Sequence, residues 1–409
     1  MTGRLSVLVA AGGLALTLVA QPEPVTLRVA LYPFVPQAQA LFQSLEAPFE
    51  RAHPGVNVEL VDEFTDRGGQ VHALADDYYR GGLEQTDADI YEIDTVLLAD
   101  MAPRLQPAPP DRIALRPDFG AAVTVDGRTL GVPHWICGNF LFYRRDDAAI
   151  RDAQRWSDLG AALQGGGILS DLKGTSTLGE WYLTALASRD GTPQHVLDRL
   201  ADPSLDGSAV KSLQDLLGLC PAGYCRSDAF HQRTGFYARL FARGRSRGYI
   251  GYSESLHYAL GELRESCAPG DGCLREDDIA VRALPLDAPG GRRVGWLDAL
   301  ALDARLSGRK KDLAADFVAW ATSWEAYKIV LTPTAPDPPR YLLPARLGPH
   351  GELPEAPLYP AFEAAFQDRL FLTADRLNAT LRGKATALNC ALPAERDDTG
   401  WAAACGKPR

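Results

Sequence analysis

The sequence predicts a two-lobed α/β clamshell with a cleft between the lobes, on three observations. The chain has 409 residues, more than one ordinary core accommodates. Its opening alternates strand and helix patterns, which implies a parallel sheet covered by helices. Two extended apolar segments, at 131–144 and 294–302, read as crossings between two such units.

Residues 25–31 alternate β-branched and apolar side chains and end at Tyr32-Pro33, the profile of a buried strand. Residues 37–51 carry helical spacing through Ala40, Leu41, Leu45 and Phe49, and Pro54-Gly55 ends that helix before a second strand at 56–61. A helix is expected at 70–79 and a third strand at 88–93, stopping at Asp94. Ligands of such sheets bind beyond the carboxyl ends of the strands, where Tyr32 and Asp94 stand. Beyond the first crossing, helices are expected at 177–188, 208–217 and 228–242, and a strand at 247–251 leads into Tyr252-Ser253-Glu254 at a helix start. The segment 294–302 reads as a return strand, followed by helices at 311–331 and 357–370. The expected division is a signal peptide at 1–20, a first lobe at 21–136 plus about 295–335, and a second lobe at 137–294 plus the C-terminal helices to 409.

The signal peptide rests on Arg4, the apolar run 5–19 and the small Ala20 before Gln21. It implies a secreted or periplasmic protein without a membrane anchor after processing, and a monomer is expected. A formal net charge of −10 argues against nucleic acid and anionic membrane surfaces and suits a cationic or neutral ligand.

Export makes the seven cysteines informative, because disulfides persist outside the cytosol. Six fall into sequence-local couples: Cys220 with Cys225, Cys267 with Cys273, and Cys390 with Cys405. Cys137 is left over, as an intermolecular link, an inert buried thiol or a reactive one. It sits at the first crossing, beside Gly138, with a view into the cleft. His134 is three residues away, a spacing that puts the two side chains on opposite faces of an extended segment. Glu254 is the stronger base: near a helix start, a desolvated carboxyl rises toward neutral pH and shuttles protons. Its competing role is a helix cap.

Asp94 ends a strand, and Asp298 interrupts an apolar run where a carboxylate needs a partner. With Tyr32, Phe34, Trp135, Tyr252 and Trp296 nearby, these acids suit a flat, positively charged heteroaromatic. No glycine-rich phosphate loop follows the first strand and no histidines pair at metal-ligand spacing, so neither metal nor organic cofactor is expected.

The Phe49-x-x-x-His53-Pro54-Gly55-Val56 segment resembles the group II periplasmic solute-binding proteins. Within them, Leu31-Tyr32-Pro33-Phe34-Val35-Pro36, the run from Gly131-Val132-Pro133-His134-Trp135-Ile136-Cys137-Gly138 to Tyr143, and Gly251-Tyr252-Ser253-Glu254-Ser255 resemble thiaminase I, over nearly the whole mature chain. The resemblance implies a covalent pyrimidine adduct on Cys137, with Glu254 as base and the thiazole of thiamine replaced by an amine or thiol. It implies that Tyr32, Asp94, Tyr252 and Asp298 bind the pyrimidine; Trp296 stands where tyrosine is expected. The competing readings are a non-catalytic carrier for thiamine, a pyrimidine or a sugar, and a cysteine hydrolase relying on His134.

Overall fold

A computed structural model of the chain describes residues 23–109, 117–163, 166–231, 233–268, 270–346 and 356–392. The expected signal peptide and Cys405 lie outside them. Two sheets form the two lobes. The larger runs in the order Leu343–Pro344, Val132–Cys137, Trp296–Leu302, Ile90–Asp94, Val25–Ala30, Val56–Leu60. Its central strands Ile90–Asp94 and Trp296–Leu302 are buried at every position, as befits strands covered on both faces. The smaller sheet runs Ile168–Leu169, Gly248–Gly251, Phe140–Arg144, Ile279–Ala283.

The three N-terminal strands are parallel as expected, and the return strand Trp296–Leu302 runs antiparallel to both its neighbours, so the sheet is mixed. The expected return strand at 294–302 is cut at Gly295. Arg293–Val294 pairs with Arg369–Leu370, while Trp296 onward enters the large sheet. The expected helix at 311–331 divides into Gly308–Ala321 and Trp324–Leu331, because the Ser323 side chain accepts the N–H of Ala326 and starts a new helix. That at 228–242 is interrupted before Phe236–Ala242, where Gly235 takes a positive φ of 70°.

The expected helix at 70–79 is largely a hairpin instead. Glu63–Thr65 pairs with Val71–Ala73, and Asp66 Oδ1 accepts the N–H groups of Gly68 and Gln70 across the turn. Only short helical pieces follow, Leu74–Asp77 and Tyr78–Arg80. Turn chemistry overrides the helical pattern here, and the detour delivers Tyr79 to the cleft.

Two of the expected disulfides are present, Cys220–Cys225 and Cys267–Cys273, and Cys137 is free. No described helix is long and apolar enough to cross a membrane.

The large sheet is pinned at its ligand-facing end by Glu92. One carboxyl oxygen accepts the N–H of Tyr32 at 2.9 Å, and the other lies 2.5 Å from His134 Nδ1, with all of these buried or half-buried. Removing it orphans two buried polar groups. Glu92→Ala is expected to cost about 3 kcal/mol and Glu92→Gln less than half as much, measured as the shift in urea unfolding midpoint.

A candidate active site between the lobes

The chain crosses from one sheet to the other at Cys137–Phe140, between strands Val132–Cys137 and Phe140–Arg144. Cys137 is therefore the last residue of the first lobe's strand, half-buried and facing a cavity of about 390 Å³ between the lobes. That volume suits a small organic molecule.

The nearest partner of the thiol is Asp298, whose Oδ2 accepts from Cys137 Sγ at 3.3 Å. Asp298 in turn stands opposite Asp94 on the adjacent strand. Asp94 Oδ1 accepts the N–H of Val96, and its Oδ2 accepts the Tyr79 hydroxyl at 2.7 Å, which contacts the Tyr32 hydroxyl at 3.0 Å. The exposed Phe34 ring stacks on Tyr79 and meets Tyr32 edge-on. The second lobe contributes Tyr252, Glu254 and Glu180 to the opposite wall. Glu254 stands one residue before helix Ser255–Ser266 and makes no side-chain cap bond, so the competing capping role does not hold; its partner is the Ser253 hydroxyl.

Four carboxyl groups thus share one cavity, whose described lining includes His231 but no Lys or Arg. Burial pushes Asp94 up to about 6 and Glu254 and Glu180 up to about 7, against their stabilising hydrogen bonds. Asp298 is raised well above the carboxylate range by burial and then by the charges of Asp94 and Glu92. The Cys137 thiol is likewise raised well above its ordinary range by burial, then by Asp298, Glu254 and Asp94. The resting sulfur is a thiol, so nucleophilic work requires both a base and relief from surrounding negative charge. No group of three or more metal-ligand side chains occurs among the described residues.

Of the expected site residues, Cys137, Glu254, Tyr32, Asp94, Tyr252, Asp298 and Trp296 line this one cavity. Trp135 does not. The pairing passes from Asp298 opposite Trp135 to Ala299 opposite Pro133, leaving His134 as the extra residue of a bulge. Strict alternation fails there, and His134 and Trp135 both pack on Tyr327, buried away from the cavity. Trp135 is therefore core, and His134, held against Glu92, does not serve Cys137. Several lining residues went unread in the sequence, among them Ser176, Thr177, His231, Tyr79 and Glu180. Tyr79 was assigned to a helix; Glu180 carried a legible signal, an acid inside the apolar helix Thr175–Ala187. Asn378 also lines the cavity, its amide donating to the Tyr79 carbonyl at 2.7 Å.

A carboxyl whose folded pKa exceeds its unfolded value gives up stability when it ionises. Its favourable contribution is complete below about pH 4 and lost as pH rises through 6 to 7. Ligand-free protein is therefore expected to lose thermal stability between pH 5 and 8, and Glu180→Gln and Glu254→Gln should each flatten that slope in scanning calorimetry.

No known family profile matches the chain. Thiaminase-1 of Paenibacillus thiaminolyticus is 26% identical over 346 residues, spanning 79% of this chain and 76% of that protein. The structure of Clostridium botulinum thiaminase I in complex with thiamin superposes with a TM-score of 0.70 at 21% identity, covering 88% of this chain and 98% of that one. Maltose-bound MalE3 of T. maritima gives 0.62 at 18% identity, covering 90% and 100%. The fold is the two-lobed clamshell of these two structures, and in sequence over most of its length this chain is similar to thiaminase I.

Proposed function

We propose that this protein is an enzyme, a thiaminase I that degrades thiamine by exchanging its thiazole for an amine or thiol. The observation that carries the reading is a free thiol at the crossing between the lobes, facing a cavity lined by four raised carboxyl groups and aromatic rings. Such a lining favours a flat cation, through charge and through ring faces worth about 0.5–2 kcal/mol each. Similarity to thiaminase I over most of the chain supports the same reading.

In the proposed chemistry, Cys137 loses its proton to Glu254, whose raised pKa suits exchange near neutral pH. The charge on thiamine offsets the negative field that holds the thiol protonated, so substrate binding itself readies the nucleophile. The sulfur bonds to the pyrimidine carbon next to the methylene bridge, and the ring takes up the electron pair. The bond from methylene to thiazolium nitrogen then breaks, the nitrogen leaving with its pair as neutral thiazole. An incoming amine or thiol bonds to the methylene and loses its proton to solvent, the carbon–sulfur bond breaks with its pair returning to sulfur to restore the aromatic ring, and Glu254 gives Cys137 its proton back. Asp298, in contact with the thiol, orients it and with Asp94, Tyr32, Tyr252 and Trp296 receives the pyrimidine.

On this reading the first lobe runs to Cys137, which ends a strand of its sheet, and resumes over about 295–345, because Leu343–Pro344 also belongs to that sheet. The protein acts as a monomer outside the cytoplasm after loss of residues 1–20.

Incubation with thiamine and aniline is expected to give the aniline-substituted pyrimidine. Cys137→Ser should retain thiamine binding and lose at least about 10³-fold in rate, and Glu254→Gln about 10²–10⁴-fold. An active serine variant would overturn Cys137 as the nucleophile, and thiamine held unchanged in abundant nucleophile would favour the carrier. Should Asp298→Asn abolish activity while Glu254→Gln preserves it, Asp298 is the base. Because ionised carboxyls hold the cation, thiamine affinity is expected to rise with pH between 5 and 8, read by titration calorimetry.

A further inference from the structure

Two crossings between the lobes, at 137–140 and 294–296, are held by the same two buried side chains. Arg369, 2% exposed, donates from Nη1 to the Val294 carbonyl at 2.9 Å and from Nη2 to the Asn139 carbonyl at 3.0 Å. One carbonyl belongs to each crossing. Glu180, 7% exposed, accepts at Oε1 from Asn139 Nδ2 at 3.2 Å and from Trp296 Nε1 at 2.7 Å, again one group from each crossing. Its Oε2 accepts the Tyr252 hydroxyl. Neither residue is local to what it holds. Glu180 lies in helix Thr175–Ala187 and Arg369 in strand Arg369–Leu370, both outside the crossings.

The glycines between the gripped groups fit this arrangement. A Cβ on Gly138 would stand 2.8 Å from Arg369 Nη1, and one on Gly295 would stand 3.1 Å from Arg369 Cβ and 2.8 Å from the Phe371 ring. The guanidinium also packs 4.9 Å from the Phe140 and Phe366 rings, which fixes its fork. An arginine and a glutamate withheld from water are costly, and each is justified here by bonds that its opposite charge helps to sustain.

We propose that Glu180 and Arg369 are positioning residues that lock both crossings into one geometry, and so set the Cys137 thiol against the Tyr252–Trp296 wall. Cys137 lies one residue before Gly138 and two before Asn139, so its backbone cannot shift without breaking the Arg369 fork. Trp296 and Tyr252 share one carboxylate, so their rings move together. This rests on the proposed exchange chemistry for its consequence, but not for its geometry.

The test has a readout that needs no turnover, the rate of Cys137 alkylation by iodoacetamide in ligand-free protein, followed by intact mass. Glu180→Leu and Arg369→Met are each expected to change that rate at least about fivefold and to lower base-exchange kcat/KM at least about 30-fold, the scale of a misplaced reacting group. Glu180→Gln, which keeps an acceptor for Trp296 and Asn139, should recover at least about tenfold of the kcat/KM lost in the leucine variant. Should the apolar variants fail to fold, Arg369→Lys and Glu180→Gln take their place. A lysine cannot hold both carbonyls in a fork, so Arg369→Lys is expected to change alkylation at least about fivefold, and Glu180→Gln by less than Arg369→Lys. Alkylation changes below fivefold in Arg369→Met, or in Arg369→Lys where it is the variant used, overturn the lock. Absence of base exchange in wild-type protein overturns the proposed function instead, and leaves alkylation to judge the lock.

Discussion

Withholding several carboxyl groups from water around one thiol is the constraint on which this molecule turns. An isolated buried carboxylate is expensive, and the protein meets the expense in two ways. It raises the pKa values of Asp94, Glu180, Glu254 and Asp298, so that protons neutralise them. It also supplies donors: Tyr79 to Asp94, Cys137 to Asp298, and Tyr252, Trp296 and Asn139 to Glu180. The result is a cavity unfavourable to itself when empty and ionised. Under the proposed function, a cationic guest relieves it.

The fold explains how these groups reach one place. Asp94 and Asp298 are direct neighbours on adjacent strands, and Cys137 faces Trp296 on the next pairing. Three of the chemically important side chains therefore arrive through strand register within a single sheet, whose hydrogen bonds fix their relative places. The opposing wall comes from the second lobe by way of the strand Gly248–Gly251 and the helix Thr175–Ala187. Its position relative to the thiol depends on the crossings. A rigid first lobe and a second lobe referenced to it through a few buried polar bonds is an arrangement that serves a solute carrier and a transferase equally. What separates the two uses is the sulfur and its acids.

The glutamate at 254 illustrates why burial rather than sequence position assigns chemistry. Its place before helix Ser255–Ser266 invites a capping role, yet its carboxyl caps nothing and faces the cavity. Conversely, Trp135 occupies an aromatic-rich strand next to a cleft residue and turns out to be core, because one inserted residue at His134 reverses the alternation. A bulge is a tertiary decision. Nothing in the local pattern of Val132–Cys137 announces it.

By itself the sequence determined the lobed α/β class, the unpaired cysteine, and most of the residues that meet in the cleft. Those follow from local periodicity, from cysteine arithmetic, and from acids and aromatics standing at strand ends. Only the tertiary structure decided that Asp298 rather than Glu254 touches the thiol, that Tyr79 and Glu180 join the site, and that His134 and Trp135 leave it. Each of these depends on contacts between residues far apart in the chain: Cys137 with Asp298, Tyr79 with Asp94, Glu180 with Trp296, His134 with Glu92. Periodicity reports which face of an element is apolar. Which neighbour that face meets is set by register, bulges and the path of the crossings, and these are fixed by the packing of the whole chain.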